Sequence, residues 1–248
     1  TIQGYGGGNM HAYYQKSKNK LQREMNNYLK LVKPELEEIF RKPYPQIFAE
    51  VWEYYEQAML EHFPFIGGDR SSGTKNLTGC MFFIAIGVVG KRYGLSIHDW
   101  GRLSTTLYER YFDRVPRPLR RLIGGVFNHC PDLVNKALHR KDRKNAENAA
   151  RNPGSFVTQT MTPTEEYPVI YHNQVCPIYE FCKARGYMEY LPYMCNLDYV
   201  MFHAFGVALY REKTCATGDD VCDFKMKRGA AIPAVWPPHI LDESDPLK

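Results

Sequence analysis

The chain has 248 residues, of which 44% are hydrophobic and 24% are charged, and this composition is typical of a folded globular protein and excludes a disordered or fibrous one. The net charge of +5 is spread along the chain except in a basic run at residues 136–152. That run contains no Phe, Tyr or Trp to stack on bases, so we expect no nucleic-acid partner and keep one only as a weak alternative.

The apolar runs and the cysteines indicate the cellular environment in which the chain folds. The longest apolar run, residues 80–90, is well short of the ~20 residues that span a bilayer, so we expect a buried helix and no membrane partner. The seven cysteines are an odd number and form no CxxC pair, which argues against a secreted disulfide framework and against a zinc finger. We therefore predict a reducing, cytoplasmic setting.

The first 150 residues carry helical patterns. They predict helices over residues 10–31, 45–62, 76–93 and 96–112, then over 117–128 and along the basic segment after Pro131. Ser96 and Asp99 form a start that resembles a capping box, and Gly94 is placed to end the helix before it.

The pattern changes after Gly154. Residues 155–161 and 167–172 are rich in β-branched and aromatic types and predict strands, and short helices follow from Cys176 and from near Cys195. Strands over 205–213 and 221–228, joined by a hairpin loop at 216–220, complete the pattern. The predicted fold is α+β: one domain at 10–230, with a helical layer (10–150) packed on an antiparallel sheet (155–228), a flexible tail at 1–9 and a proline-rich tail at 231–248.

Cys176 is the first candidate for chemistry. Pro177 has the fixed φ that suits the first residue of a helix, so Cys176 is predicted to be the N-cap. Unpaired backbone N–H groups there favour a thiolate, and His172 would supply a base if the strand end curls back. A small, unreactive buried cap is the alternative, and it is favoured in the absence of other evidence.

Cys195 and Asp198 lie three residues apart, and therefore on one face of a helix. Asp198 is surrounded by apolar residues in the sequence, so it either faces solvent or is held by partners. A held carboxylate is a candidate general acid or base, and an Asp that caps the following helix is an equal alternative.

The predicted hairpin places Cys215 opposite Cys222, at a separation that a disulfide could bridge; in a reducing compartment both stay thiols. Strand alternation turns Cys222 inward and Asp223 outward or toward the loop, and Asp219 is ordinary turn chemistry. A metal site would require Cys176, Cys195, Cys215 and Cys222 to converge with His172 or His203, and we predict none.

Residues 175–206 and 211–226 together resemble the L-2-amino-thiazoline-4-carboxylic acid hydrolase family. The second stretch is also similar to the closing hairpin of vinyl-reductase-like ligand-binding domains. The matching positions are Cys176, the pair Cys195 and Asp198, and the run of Thr214, Gly218, Asp219, Cys222, Asp223 and Phe224.

The resemblance implies a small-molecule pocket between helices and sheet, and a cofactor-free enzyme that opens a thiazoline ring. It implies Cys176, Cys195, Asp198 and Cys222 as catalytic residues, with Asp198 as proton carrier and Cys176 or Cys195 as nucleophile or pocket thiol. The implied substrate-binding residues are His172, Tyr199, His203, Thr214, Asp219 and Asp223.

Family membership alone does not transfer a reaction. An isomerase or cyclase acting on a specialised aromatic metabolite, or a non-catalytic ligand-binding domain, stays open as an alternative, and so does a homo-oligomer. The helical half is rich in Tyr and Phe. These residues suit a pocket for a larger aromatic ligand, although such side chains more often form core.

Overall fold

A computed structural model of the chain describes residues 10–239, which form nine α-helices and four β-strands. The helices are α1 (Ala12–Leu29), α2 (Lys33–Phe40), α3 (Tyr44–Ala58), α4 (Ser72–Lys91), α5 (Ile97–Asp113), α6 (Arg117–His129), α7 (Pro131–Arg151), α8 (Pro177–Arg185) and α9 (Leu191–Ala204); the strands are β1 (Val157–Thr160), β2 (Val169–Val175), β3 (Ala208–Tyr210) and β4 (Cys222–Lys227).

The α+β prediction is confirmed: helices α1–α7 precede a four-stranded antiparallel sheet that contains β1, β2, β4 and β3 in that order. The Ser96 side chain accepts a hydrogen bond from the Asp99 N–H at the start of α5, as its sequence predicts. The tail prediction for 1–9 lies outside the described residues, as does that for 240–248. Residues 231–239 contain no helix or strand and lie against α9, where Asn196 donates to the Val235 carbonyl.

Helix α4 is the centre of the helical half. Within residues 10–239 it is the one helix long and apolar enough to cross a membrane, yet 72% of its most apolar window is buried inside the fold. That burial is typical of a core helix. Trp100 of α5 donates its indole N–H to the Phe83 carbonyl of α4 at 2.8 Å, so α5 is fixed against it.

Two details of the sequence prediction are wrong. Helix α2 was not predicted, because its segment KPELEEIF is charged and carries Pro34; Leu36 and Phe40 nevertheless bury one face of it. The strand predicted over 205–213 is only Ala208–Tyr210, which pairs with β4 from Lys225 to Lys227. The hairpin loop is therefore longer than predicted, and Cys215 lies in a 3₁₀ turn within it rather than opposite Cys222 in the ladder.

Candidate active site

A cavity of about 390 Å³ lies between the helices and one face of the sheet. Its walls come from β2 and β4, from the middle of α9 and from parts of α4 and α7. The groups that line it and are able to move protons or attack carbon include Cys176, Cys195, Asp198, Arg211 and Cys222. The structure therefore brings together all four residues predicted to be catalytic.

Arg211 is the fixed cation of this cavity. Its side chain is 1% exposed, and its Nη1 lies 2.9 Å from Asp198 Oδ2. The same guanidinium donates to the carbonyls of Cys195 and Asp223, each at 3.0 Å, and lies 4.3 Å from the centre of the Phe224 ring. Because these contacts use several of its five donors, Arg211 ties α9 to the strand pair and fixes the Asp198 carboxylate.

Asp198 is both held and available. Its side chain keeps 34% of its surface accessible and lines the cavity, so a ligand can reach the carboxylate although protein atoms surround it. Burial raises the pKa of Asp198 to about 6, against the opposing charge of Arg211. A carboxyl group with a pKa so close to neutral is suited to both accepting and donating a proton.

The sulfur of Cys222 receives donors from the hairpin loop. The Cys215 N–H lies 3.3 Å from Cys222 Sγ, and the Thr214 hydroxyl lies 3.6 Å from it. A hydrogen bond from the Cys215 thiol lowers the pKa of Cys222, with burial opposing and the Arg211 charge reinforcing it, and the same bond raises the pKa of Cys215. The surroundings of Cys222 therefore favour its thiolate, the nucleophilic form, more than those of Cys215 do.

The run that carries the family resemblance is what shapes this loop. The Thr214 N–H donates to Asp219 Oδ2 at 2.9 Å, and Gly218 adopts a φ of 101° that favours glycine. The Asp223 carboxylate accepts from the N–H groups of residues 212 and 213. These bonds fold the loop back so that the Cys215 N–H points at Cys222.

Cys176 and Cys195 line the cavity as thiols. Cys176 is the N-cap of α8 as predicted, but burial raises its pKa well above the ordinary value and outweighs the N–H groups of Ile178 and Tyr179. Burial raises the pKa of Cys195 as well. The helix start therefore does not make Cys176 a thiolate, contrary to the argument from its N-cap position.

The residues predicted to bind substrate are dispersed, and none of them lines the cavity; Thr214 contacts the sulfur of Cys222, and the Asp223 carbonyl accepts from Arg211. His172 and Asp223 face each other on the opposite side of the sheet, at a separate groove. Tyr199 packs its ring 4.5 Å from that of His239, and His203 is exposed next to the Pro233 carbonyl. Asp219 serves the turn described above.

Arg211, Asn173 and Lys141 are polar cavity residues that the sequence analysis does not single out. Arg211 left a signal, because a carboxylate at Asp198 needs a buried partner and Arg211 is the first Lys or Arg after it. Asn173 could have been found from strand alternation, because it lies two residues after Tyr171 and therefore on the same face of the strand. Lys141 left none, since it lies in a run that is typical of a solvated helix face.

Within the described part of the chain, no group of three or more His, Cys, Asp or Glu side chains is placed to hold a metal ion. His172 and His203, the histidines considered for such a site, both lie away from the cavity cysteines. The chemistry of the cavity is therefore described by its thiols, its carboxylate and its cations.

Residues 124–226 match the sequence model of a family described as L-2-amino-thiazoline-4-carboxylic acid hydrolase. The resemblance is thus confirmed for the C-terminal part of the chain, while α1–α5 lie outside the match. The matched residues include Arg211 and all four candidate catalytic residues. No curated protein and no solved structure matches the chain.

Proposed function

From the family match of residues 124–226 and the site within them, we propose that this chain is a hydrolase that opens a small cyclic substrate. The bond opened joins a ring heteroatom to a carbon that is doubly bonded to nitrogen, as in a 2-aminothiazoline. One observation carries the proposal: the Asp198 carboxylate, held by Arg211, lies in one cavity with the Cys222 thiolate. The two are near enough for Cys222 to raise the pKa of Asp198.

Cys222 acts as the nucleophile. Its thiolate adds to the amidine-like carbon, and the electron pair of the C=N bond moves to nitrogen, which takes a proton. The ring sulfur then leaves as a thiolate, so that the carbon is bound to Cys222 Sγ in an open-chain adduct. Splitting the displacement into two steps in this way is the general advantage of covalent catalysis.

Asp198 moves the protons. In its protonated form it donates to the ring nitrogen during the first step, and the carboxylate then removes a proton from the water that attacks the adduct. Collapse of the second tetrahedral intermediate breaks the bond to Cys222 Sγ, returns the thiolate and releases a urea-type product. Arg211 positions Asp198 through their 2.9 Å contact. Cys176 and Cys195 form part of the wall.

The test uses L-2-amino-thiazoline-4-carboxylic acid with the full chain, and follows both the released thiol and the product mass. Hydrolysis adds one water to the mass, whereas an isomerase leaves it unchanged. Cys222→Ser should lower turnover at least about a hundredfold, because an alcohol replaces the thiolate. The matched control is Cys130→Ser, which changes an exposed cysteine and should leave turnover intact.

Two results would overturn the proposal. Full turnover by Cys222→Ser would remove the thiolate mechanism. Absence of any product one water heavier than its substrate, from this compound and from aromatic analogues with the same ring, would remove the hydrolase assignment and leave a binding domain.

A further inference from the structure

The cavity has two aromatic walls. One consists of Tyr28, Phe83 and Tyr108, from α1, α4 and α5, with ring centres 6.1 and 6.0 Å apart for the pairs that include Phe83. The other consists of Tyr171 and Phe224, stacked at 4.5 Å and 7° on adjacent strands. The rings of the first wall meet edge to face, at 60° and 87°. Aromatic walls favour an aromatic ligand, because rings pack edge to face as well as stacked.

Lys141 supplies a cation at the same cavity. Its Nζ lies 5.6 Å from the centre of the Tyr171 ring. Its neighbour Asp142 accepts hydrogen bonds from Thr158 and Thr160, and Asp198 is paired with Arg211. Among residues 10–239, no carboxylate lies within ion-pair distance of Lys141 Nζ.

Lys141 is exposed to solvent and lines the cavity. An ammonium group there, with no carboxylate paired to it, attracts a ligand with a negative charge through a charge-assisted hydrogen bond. The cavity volume of about 390 Å³ falls in the ~300–1,000 Å³ range of pockets that hold drug-sized ligands. It therefore has room for more than one ring.

We propose that the substrate of this site is a planar aromatic carboxylate, with its rings between the two aromatic walls and its carboxylate against Lys141. That this ligand is turned over rests on the proposed function above, whereas its binding does not. Lys141 is thus a specificity-determining residue, and it is placed by α7, near the Asp198 charge that acts on it.

The first experiment measures binding of benzoate, 2-naphthoate and uncharged 2-naphthamide by titration calorimetry. We expect 2-naphthoate to bind about tenfold more tightly than benzoate, because the second ring buries more apolar surface. Lys141→Met should weaken 2-naphthoate about tenfold, by loss of the charge pair, and leave 2-naphthamide unchanged. Lys144→Met is the matched control, since Lys144 is exposed on the same helix and does not line the cavity.

A second variant places the ligand in this cavity. Gly79 lines it, and a Cβ atom built there meets no atom within 4 Å. Gly79→Leu should fill the space between the walls and abolish 2-naphthoate binding. Gly79→Ala should keep it, and should stabilise α4, since alanine favours a helix over glycine.

Three outcomes would overturn the proposal: equal binding of benzoate and 2-naphthoate, an equal effect of Lys141→Met on 2-naphthoate and 2-naphthamide, or 2-naphthoate binding that survives Gly79→Leu. Cys222→Ser separates this proposal from the proposed function, because it should keep 2-naphthoate binding whether or not turnover is found. Tight binding of 2-naphthoate, together with no hydrolysis of the thiazoline compounds named above, would overturn the hydrolase alone.

Discussion

On one face of the strand pair β2 and β4, Tyr171 and Asn173 stand next to Phe224 and Cys222 and line the cavity. On the other face of the same strands, His172 stands next to Asp223. His172 and Asp223 attract attention in the sequence because histidine and aspartate are frequent catalytic types. Strand alternation divides the candidates between two places: Cys222 lines the enclosed cavity with Asp198 and Arg211, whereas His172 and Asp223 line an open groove that contains neither.

The largest difference between the two faces should be in the unfolding free energy that is lost when a charged contact is removed. Arg211→Met removes three side-chain hydrogen bonds: two to α9, at the Asp198 carboxylate and the Cys195 carbonyl, and one to the Asp223 carbonyl of β4. Breaking the buried pair with Asp198 should cost about 3 kcal/mol of unfolding free energy, measured by urea titration. Lys227→Met removes an exposed contact with Glu166 on the opposite face of β4 and should cost less than about 1 kcal/mol. Similar losses for both variants would contradict the comparison.

The pH dependence of turnover tests the role of Asp198 on the cavity face. Because burial raises the pKa of Asp198 to about 6, the carboxylate that removes a proton from water is present above that pH and lost below it. Where the attack of water on the adduct limits turnover, we expect kcat to fall about tenfold per pH unit below pH 6. Asp198→Asn should lower turnover about a hundredfold at neutral pH and shift the acid limb to lower pH, because the Cys222 thiol, whose pKa is lowered by Cys215 and Arg211, is then the group that titrates. If the fall of kcat at acid pH were unchanged in Asp198→Asn, it would be due to the titration of another group.

Neighbours on one strand give the smallest and most direct test. Asn173→Ala changes the cavity wall and should lower kcat/KM about tenfold, by loss of a hydrogen-bonding group at the ligand. His172→Ala changes the residue before it, on the opposite face, and should alter kcat/KM less than about twofold because it touches no cavity group. If the two effects were reversed, the ligand would lie in the groove next to His172.

Much of the fold could be predicted because it follows from local pattern. Helices α1 and α3–α7 and the strand positions came from periodicity and from turn residues such as Gly154. Helix α2 was missed because charges and Pro34 mask the apolar face formed by Leu36 and Phe40. The hairpin loop was predicted too short. Strand propensity alone extends the strand before it into residues that the side chains of Asp219 and Asp223 hold in the loop.

The candidate site was predictable in part. Asp198 was singled out because a carboxylate in an apolar run needs a partner, and Cys222 because it alternates with Phe224 and Met226. The partner Arg211 and the cavity cation Lys141 were not predicted, because their roles depend on contacts between segments that are far apart in sequence. Lys141 in particular has an ordinary place in a basic helix until the sheet closes next to it.

The sequence by itself determined the division into helices and sheet, the capping of α8 at Cys176 and the alternation that turns Cys222 toward the core. Tertiary structure alone decided which thiol has a lowered pKa. Cys176 has the helix start that favours a thiolate but is held as a thiol by burial, whereas Cys222 receives donors from Thr214 and Cys215 and the charge of Arg211. A pKa depends on the groups around the sulfur in space, and folding sets those groups.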